Sequence, residues 1–462
     1  MAGCARRPVQ LRAAGCGRDR VRALPPSDQL DGAGHAVAAG EKRPHRAGRP
    51  LRHGRPSADR VRRRAHVPPR GAQSRRRAHC GPRIANRGLT TFDLLLIGYG
   101  NVAKRFVSLL EEQRATLARR HGLRARVIGI ATRRSGGQYV APVFRRTGPA
   151  RGPAVAGAGV RTTLDFVSDA CVRDAAAARK RRLVMIETTT LDIARGEPAI
   201  SHVRAALSGG AHVITANKGP VAFAYRALAR AARRANRRFL FEGAVMDGVP
   251  VFNLVRETLP GVRIIAFRGV VNSTTNYILT AMERGRPFAE ALADMQAQGV
   301  AEADASLDLD GWDSAAKTAA LANVLLGAAI TPLDVERMGI TPETGRLALD
   351  ARAAGRRLKL VASAVRVGRR IVARVAPEEL PGDDLLAGLD GQQNAIILRT
   401  DLLEEIAVAQ RSGSLTQTAY ALLSDLMTIA RDVLNRDAPA PPRGTARATR
   451  RSPPPARRRR SL

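Results

Sequence analysis

One stretch constrains this chain more than any other: "TTFDLLLIGYGNVAKRFVSLLEEQ", residues 90–113. An apolar run of strand length gives way to glycines and then to an amphipathic helical pattern. Gly98, Gly100 and Ala103 occupy the three small positions of G-x-G-x-x-G/A. The first permits a tight turn, the second lets a pyrophosphate approach the backbone, and the third lets helix and strand pack closely. Asn101 and Val102 then open a helix whose N-terminus would face the phosphates. A merely structural turn is the plain alternative. The strand before and the helix after favour dinucleotide binding.

The same alternation continues. "RARVIGIATRRSGG" reads as the next strand, and residues 144–160 read as a loop. "RRLVMIETTT" and "AHVITANKG" read as strands, each followed by a helical stretch, and "RFLFEGAV" as another strand. Pro220 sits at the first turn of its helix, where its missing N–H costs nothing. Strands alternating with helices predict a doubly wound parallel sheet. Ligands of such sheets bind beyond the carboxyl ends of the strands. Thr188, Thr189, Asn217 and Lys218 stand at such ends, so Lys218 reads as functional rather than as a solvated lysine. The second strand ends in Arg133 and Arg134. An acidic residue there would hold the ribose hydroxyl of NAD, whereas an arginine accommodates the 2′-phosphate of NADP. The pattern favours NADP, with NAD as the alternative. The plain reading is two solvated arginines.

Composition matters for the ends. The 462 residues carry a formal net charge of +37. Residues 1–90 hold 22 Lys and Arg against 5 Asp and Glu, and the tail from Arg436 holds 9 against 1. Both ends are rich in Arg, Ala, Gly and Pro, a composition that buries too little apolar surface to offset its ordering entropy. They are expected to be disordered over 1–90 and 437–462. Basic runs bind nucleic-acid phosphate without specificity, yet neither end has interleaved aromatics or a groove-reading motif, so no specific nucleic acid is expected. No apolar run is long enough to span a membrane, and none near Met1 reads as a secretory signal. Three of the four cysteines fall in the head, leaving Cys171 in the body. That usage fits a reducing cytoplasm and no disulfide framework.

"EADASLDLDGWDSAAK", residues 302–317, is dense in carboxylates: Glu302, Asp304, Asp308, Asp310 and Asp313. An EF-hand fits poorly, because its twelfth position would be Lys317 where calcium needs a glutamate. A solvated acidic loop is the plain reading. A substrate site is the third, since Asp313 and Lys317 share one face if a helix follows. Such a pair could grip a zwitterion or move a proton.

Taken together, "TANKGPVA", "EGAVMDGVPVFN", "GVVNSTTNYIL" and "EADASLDLDGWDSAAK" resemble homoserine dehydrogenases over roughly residues 92–435. The resemblance implies a Rossmann-type domain over 91–246 and an α+β substrate-binding and dimerisation region over 247–410. It also implies a C-terminal helix over 411–436 returning to the first domain. The implied reaction interconverts L-homoserine and L-aspartate 4-semialdehyde with NAD(P), in threonine, methionine and isoleucine synthesis. Lys218 and Lys317 are the implied catalytic residues, with Glu302 on the substrate ammonium and Asp313 on its hydroxyl. Burial and a second ammonium are expected to lower a lysine pKa toward neutrality; which lysine takes the proton stays open. A sodium ion is implied at the backbone carbonyls of Glu242, Val245, Asp247 and Val249, and a homodimer as the assembly. Ala305 stands where the family has proline, and Asn272-Ser273-Thr274 where it has Asn-Gly-Thr. Gly413 is expected to keep a turn before the last helix. A related amino-acid dehydrogenase is the enzymatic rival.

Overall fold

The computed structural model describes residues 89–140, 155–160, 162–298, 301 and 304–436. The basic tail, nearly all of the basic head, and Glu302 lie outside the described residues.

Strand β1 (Thr90–Ile97) leads through the glycine turn into helix α1 (Asn101–Glu112). Then come β2 (Leu123–Thr132), β3 (Gly136–Val140), β4 (Val155–Val160) and α2 (Thr163–Arg173). They are followed by β5 (Leu183–Glu187), α3 (Ala199–Ser208), β6 (His212–Thr215), α4 (Gly219–Arg234) and β7 (Phe239–Leu240). The seven strands form one sheet in the order β4-β3-β2-β1-β5-β6-β7. From β2 to β7 neighbouring strands are parallel, and β3 and β4 run antiparallel at one edge. Two expectations are corrected. Part of the stretch read as a loop, Val155–Val160, is an edge strand. Its Val-Ala-Gly-Ala-Gly-Val run has too little apolar periodicity to announce itself, and pairing with β3 decides its conformation. "RFLFEGAV" keeps only two residues of strand before a 3-10 turn, Glu242–Ala244, breaks it.

Both faces of the parallel strands are covered, so their side chains alternate between two cores. Leu95 and Ile97 face a core shared with α2, α3 and α4. Phe92, Leu94 and Leu96 face the other, shared with α1 and the last helix.

The second sheet is built from β8 (Ile264–Val270), β9 (Glu336–Arg337), β10 (Arg356–Val367), β11 (Arg370–Pro381), β12 (Asn394–Thr400) and β13 (Glu405–Gln410). Its order is β13-β12-β8-β10-β11-β9, antiparallel except for the short β11–β9 pair. Helices α5 (Ser273–Met282) and α6 (Trp312–Leu325) accompany it. Between them Ser306–Leu309 forms one helical turn. Gly311, at φ +79°, then reverses the chain into α6. A turn and a helix inside this span leave no twelve-residue calcium loop. The final helix, α7 (Leu415–Arg436), lays Ala419, Leu422, Leu426, Ile429 and Val433 against the core of the parallel sheet. Those positions follow the three-and-four spacing of a one-sided helix.

Candidate active site

A buried polar frame at the ends of β5 and β6 sets the position of Lys218. Glu187, fully buried at the end of β5, accepts from Thr215 Oγ1 (2.7 Å), the Thr189 N–H (2.9 Å) and the Thr189 hydroxyl. Burial pushes this carboxyl up, against the pull of those hydroxyls. Asn217 Nδ2 donates to the Thr189 carbonyl (3.0 Å), and its Oδ1 accepts the Gly219 N–H (2.8 Å). Lys218, between them, is the N-cap residue of α4.

Asp313 and Lys317 lie on the first turns of α6, as their spacing predicted. Lys317 Nζ is 2.8 Å from Asp313 Oδ2, and Lys218 Nζ is 3.1 Å from Asp313 Oδ1. Asp313 therefore sits between two ammonium groups. Their side chains are only 22% (Lys218), 16% (Asp313) and 13% (Lys317) exposed. Lys218 and Lys317 meet because α4 and α6 pack on each other. Asn323 Nδ2 of α6 donates to the Val221 and Ala222 carbonyls of α4, at 3.2 and 3.1 Å. Ala315, Ala316, Ala319, Ala320 and Ala322, all buried, keep α6 slim enough for close approach.

The electrostatics correct one expectation. Burial alone would raise Asp313, but the charges of Lys218 and Lys317 hold it well below the usual carboxylate range. Burial alone would depress Lys317, but Asp313 above all, then Asp247 and Asp308, keep it above an ordinary lysine. Lys317 is therefore an ammonium at neutral pH and is not drawn toward neutrality. The carboxylate between the lysines outweighs their mutual repulsion.

Residues around β8 complete the cluster. Lys317 Nζ donates to the Val271 carbonyl (2.6 Å). The next residue, Asn272, donates from Nδ2 to Asp308 Oδ1 (2.7 Å) and Asp313 Oδ2 (3.0 Å). Its Oδ1 caps α5 by accepting the Thr275 N–H (2.8 Å). Burial, and then the Asp313 charge, push Asp308 up. Asp304 and Asp310 are exposed. Glu187, Thr215 and the bridging role of Asn272 were not foreseen. A lone Glu closing an apolar strand was the available signal for Glu187; nothing in the local pattern marks Thr215 or Asn272.

Val102, Thr188, Thr189, Lys218, Lys317 and Asp247 are among the residues lining a cavity of about 260 Å³. Val102, just after the glycine turn, is part of that lining, and the turn itself fits a dinucleotide. At Gly98 φ is +85°, and a Cβ would stand 2.7 Å from the Thr188 carbonyl carbon. At Gly100 a Cβ would meet nothing within 4 Å, so the backbone there is open to a ligand. Asn101 is exposed at the start of α1. Arg133 and Arg134 occupy an exposed turn between β2 and β3, one strand from the glycines.

The loop after β7 carries Glu242, Val245, Asp247 and Val249. The Glu242 carboxylate points into the protein, accepting the Phe252 and Asn253 N–H groups at 2.9 and 2.6 Å. Burial, and then neighbouring Asp425, push it up to about 8. Gly413 lies beside this loop, where an added Cβ would come within 3.2 Å of Asp247 Oδ2.

An open parallel sheet with a glycine turn at its centre, and a lysine–carboxylate–lysine cluster beyond its strand ends, defines a nicotinamide-dependent dehydrogenase. Family models described as "Homoserine dehydrogenase, NAD binding domain" and "Homoserine dehydrogenase" match residues 98–242 and 250–427. An NAD(+)-dependent homoserine dehydrogenase of Pseudomonas canavaninivorans is 36% identical over 354 residues, 74% of this chain and 97% of that one. The chain belongs to the homoserine dehydrogenase family. A homoserine dehydrogenase of Sulfurisphaera tokodaii is 34% identical, over 74% of this chain and 99% of its own length. The crystal structure of a homoserine dehydrogenase from Thiobacillus denitrificans superposes with a TM-score of 0.60 at 26% identity, covering 76% of this chain and 77% of that one. No helix among the described residues is long and apolar enough to cross a membrane.

Proposed function

We propose that the chain interconverts L-homoserine and L-aspartate 4-semialdehyde, with NADP preferred over NAD, as a cytoplasmic homodimer serving threonine, methionine and isoleucine synthesis. The observation that carries the reading is Asp313, held between Lys218 and Lys317 beside the dinucleotide turn. Homoserine offers an ammonium, a carboxylate and a hydroxyl. In this reading Glu302 takes the ammonium, and Asp313 holds the hydroxyl. Both lysines face the reacting oxygen. The nicotinamide, when bound, accepts or supplies the hydride. Lys317, two of whose three protons go to Asp313 and the Val271 carbonyl, keeps one as a fixed positive donor to that oxygen. Lys218, with a single ion pair to Asp313, is the lysine placed to exchange the proton.

Gly98, Gly100, Asn101, Val102, Thr188, Thr189 and Lys218 would hold the dinucleotide, and Arg133 the 2′-phosphate. Carbonyl oxygens of Glu242, Val245, Asp247 and Val249, drawn from one tight loop, suit a hard cation such as sodium. Exposed Val367, Val372 and Met338, at the β9–β11 end of the second sheet, support the dimer. The domain divisions at 246/247 and 410/411 belong to the same reading. The lone thiol of the described residues, Cys171, is buried and free, which suits a reducing compartment.

Initial rates of cofactor reduction with L-homoserine, compared for NAD and NADP, test the proposal. No reduction with either would overturn the activity. Replacing Arg133 and Arg134 by Ala should weaken NADP by about tenfold and leave NAD nearly unchanged, since one charge-assisted contact is worth about that factor. Equal loss for both cofactors would remove these arginines from phosphate recognition.

A further inference from the structure

We propose that Asp247 sets a redox preference in the cofactor site: its carboxylate favours the oxidised, positively charged nicotinamide over the reduced, neutral ring. The inference rests on the dehydrogenase reading and concerns the same cavity. Asp247 has φ +49°, a left-handed conformation that Asp and Asn adopt more readily than other side-chain-bearing residues. It stands among the residues lining the cavity, with Thr188, Thr189, Lys218 and Lys317. Its bonded partners are neutral. Thr418 Oγ1 donates to Oδ1 (3.1 Å), and Gln410 Nε2 reaches Oδ2 (3.4 Å). Both partners flank the segment between β13 and α7, so the carboxylate is steadied without its charge being cancelled.

Among the described residues lining the cavity, the charged ones are Lys218, Lys317 and Asp247. The two lysines share Asp313. Asp308 is turned to the Asn272 amide. Asp247 is thus an anion of the lining whose hydrogen-bond partners carry no charge, although Lys317 feels it across the site. In a sheet of this winding a dinucleotide lies across the strand ends, one half on each side of the switch point. Here β2 lies on one side of β1, with the arginines, and β5 and β6 on the other, with Thr188, Thr189 and Lys218. The nicotinamide half therefore falls on the side of Asp247. Oxidised and reduced cofactor differ there by one positive charge on the ring and share every other group. A fixed anion a few ångströms from that charge is worth at least about tenfold in relative affinity, even where solvent brings the effective dielectric close to that of water.

The test is binary binding of the oxidised and reduced cofactors to the full chain, measured by calorimetry at constant pH and salt composition. Asp247→Asn removes the charge but keeps the side-chain shape, the left-handed turn and an acceptor for Thr418. It should weaken oxidised cofactor at least about tenfold while changing reduced cofactor less than twofold, a ratio set by the lost charge. Asp247→Gly, which also suits the turn, should move the ratio in the same way and serves if the Asn variant folds poorly. Thr418→Val, which keeps the charge, should leave the ratio unchanged. Equal weakening of both forms, or an unchanged ratio in the charge-removing variants, overturns the proposal and leaves Asp247 a latch for α7. Failure of the wild-type chain to bind either form overturns the dinucleotide reading itself, and this inference with it.

Discussion

The two sheets differ in how they treat most of their buried ionisable groups. In the parallel sheet and its helices burial keeps two histidines neutral, and buried Asp93 is the exception, paired with Arg126 (2.6 Å). His202 and His212 are fully buried, and burial pushes them down to about 4 and about 3. Glu187 is surrounded by threonine hydroxyls. The mixed sheet instead carries a buried ion pair, beside a buried lysine held by neutral acceptors. The Glu283 side chain, with no exposed surface, accepts from Arg357 Nε (2.7 Å), and Arg357 also reaches Asp390 (2.6 Å). Buried Lys359 donates to Asn276 Oδ1 (3.0 Å) and the Leu389 carbonyl, and burial lowers it to about 8. A sheet meant to cradle a charged ligand gains from having few uncompensated charges of its own. The other region can carry an ionic frame, because its charges neutralise one another. The candidate site joins the two: Lys218 rises from the neutral side and meets the Asp313–Lys317 pair of the charged side.

The largest expected effect breaks that junction. Lys218→Ala and Lys317→Ala should each lower kcat by about 10² to 10⁴, the usual contribution of a positioned proton-transfer group. The double variant should lose less than the product, because both lysines act on one oxygen. Asp313→Ala should lower kcat similarly and move the basic limb of the pH–rate profile to lower pH, since Asp313 is the main force holding Lys317 up. Steady-state kinetics across pH decide this; near-normal turnover in both lysine variants would return the cluster to a structural role.

Next comes the ionic frame alone. Glu283→Ala leaves Arg357 with half-exposed Asp390 as its remaining carboxylate and should cost up to roughly 3–5 kcal/mol, the range for a buried pair that loses one member. Denaturant unfolding should show that loss while His202→Gln, on the neutral side, costs visibly less. Similar losses from both would erase the contrast between the regions.

The last effect concerns pH. Both buried histidines have folded values below the ordinary 6.5. Their contribution is present above that value and is lost as pH falls from 6.5 toward about 4 and about 3, because the unfolded chain takes up the protons first. These two histidines should therefore lower stability between pH 7 and pH 4.5, against the opposite contribution of Glu242 and Asp425, whose raised values let the folded chain take up their protons first. A His202→Gln/His212→Gln variant should show a smaller drop between the two pH values. An equal drop would place the acid sensitivity elsewhere.

Much of this was legible in the sequence, and what was not has a common cause. The glycine turn, the apolar runs of β1 and β5 and the four-residue spacing of Asp313 and Lys317 are local. Each is set by the repeat of a strand or helix, or by a conformation only glycine adopts easily, so the residues alone determined them. The edge strand Val155–Val160 was not legible, because small residues carry no periodicity and only a partner strand makes them extended. Lys218 meeting Asp313, Asn272 spanning two carboxylates, and Asp247 braced by α7 lay equally out of reach. Each depends on groups tens to more than a hundred residues apart along the chain. Which elements pack, and hence which charges face each other, is decided by burying whole faces of sheets and helices together. Only the tertiary structure could place Lys218 within 3.1 Å of Asp313, because no local rule records the neighbour that a buried face will choose.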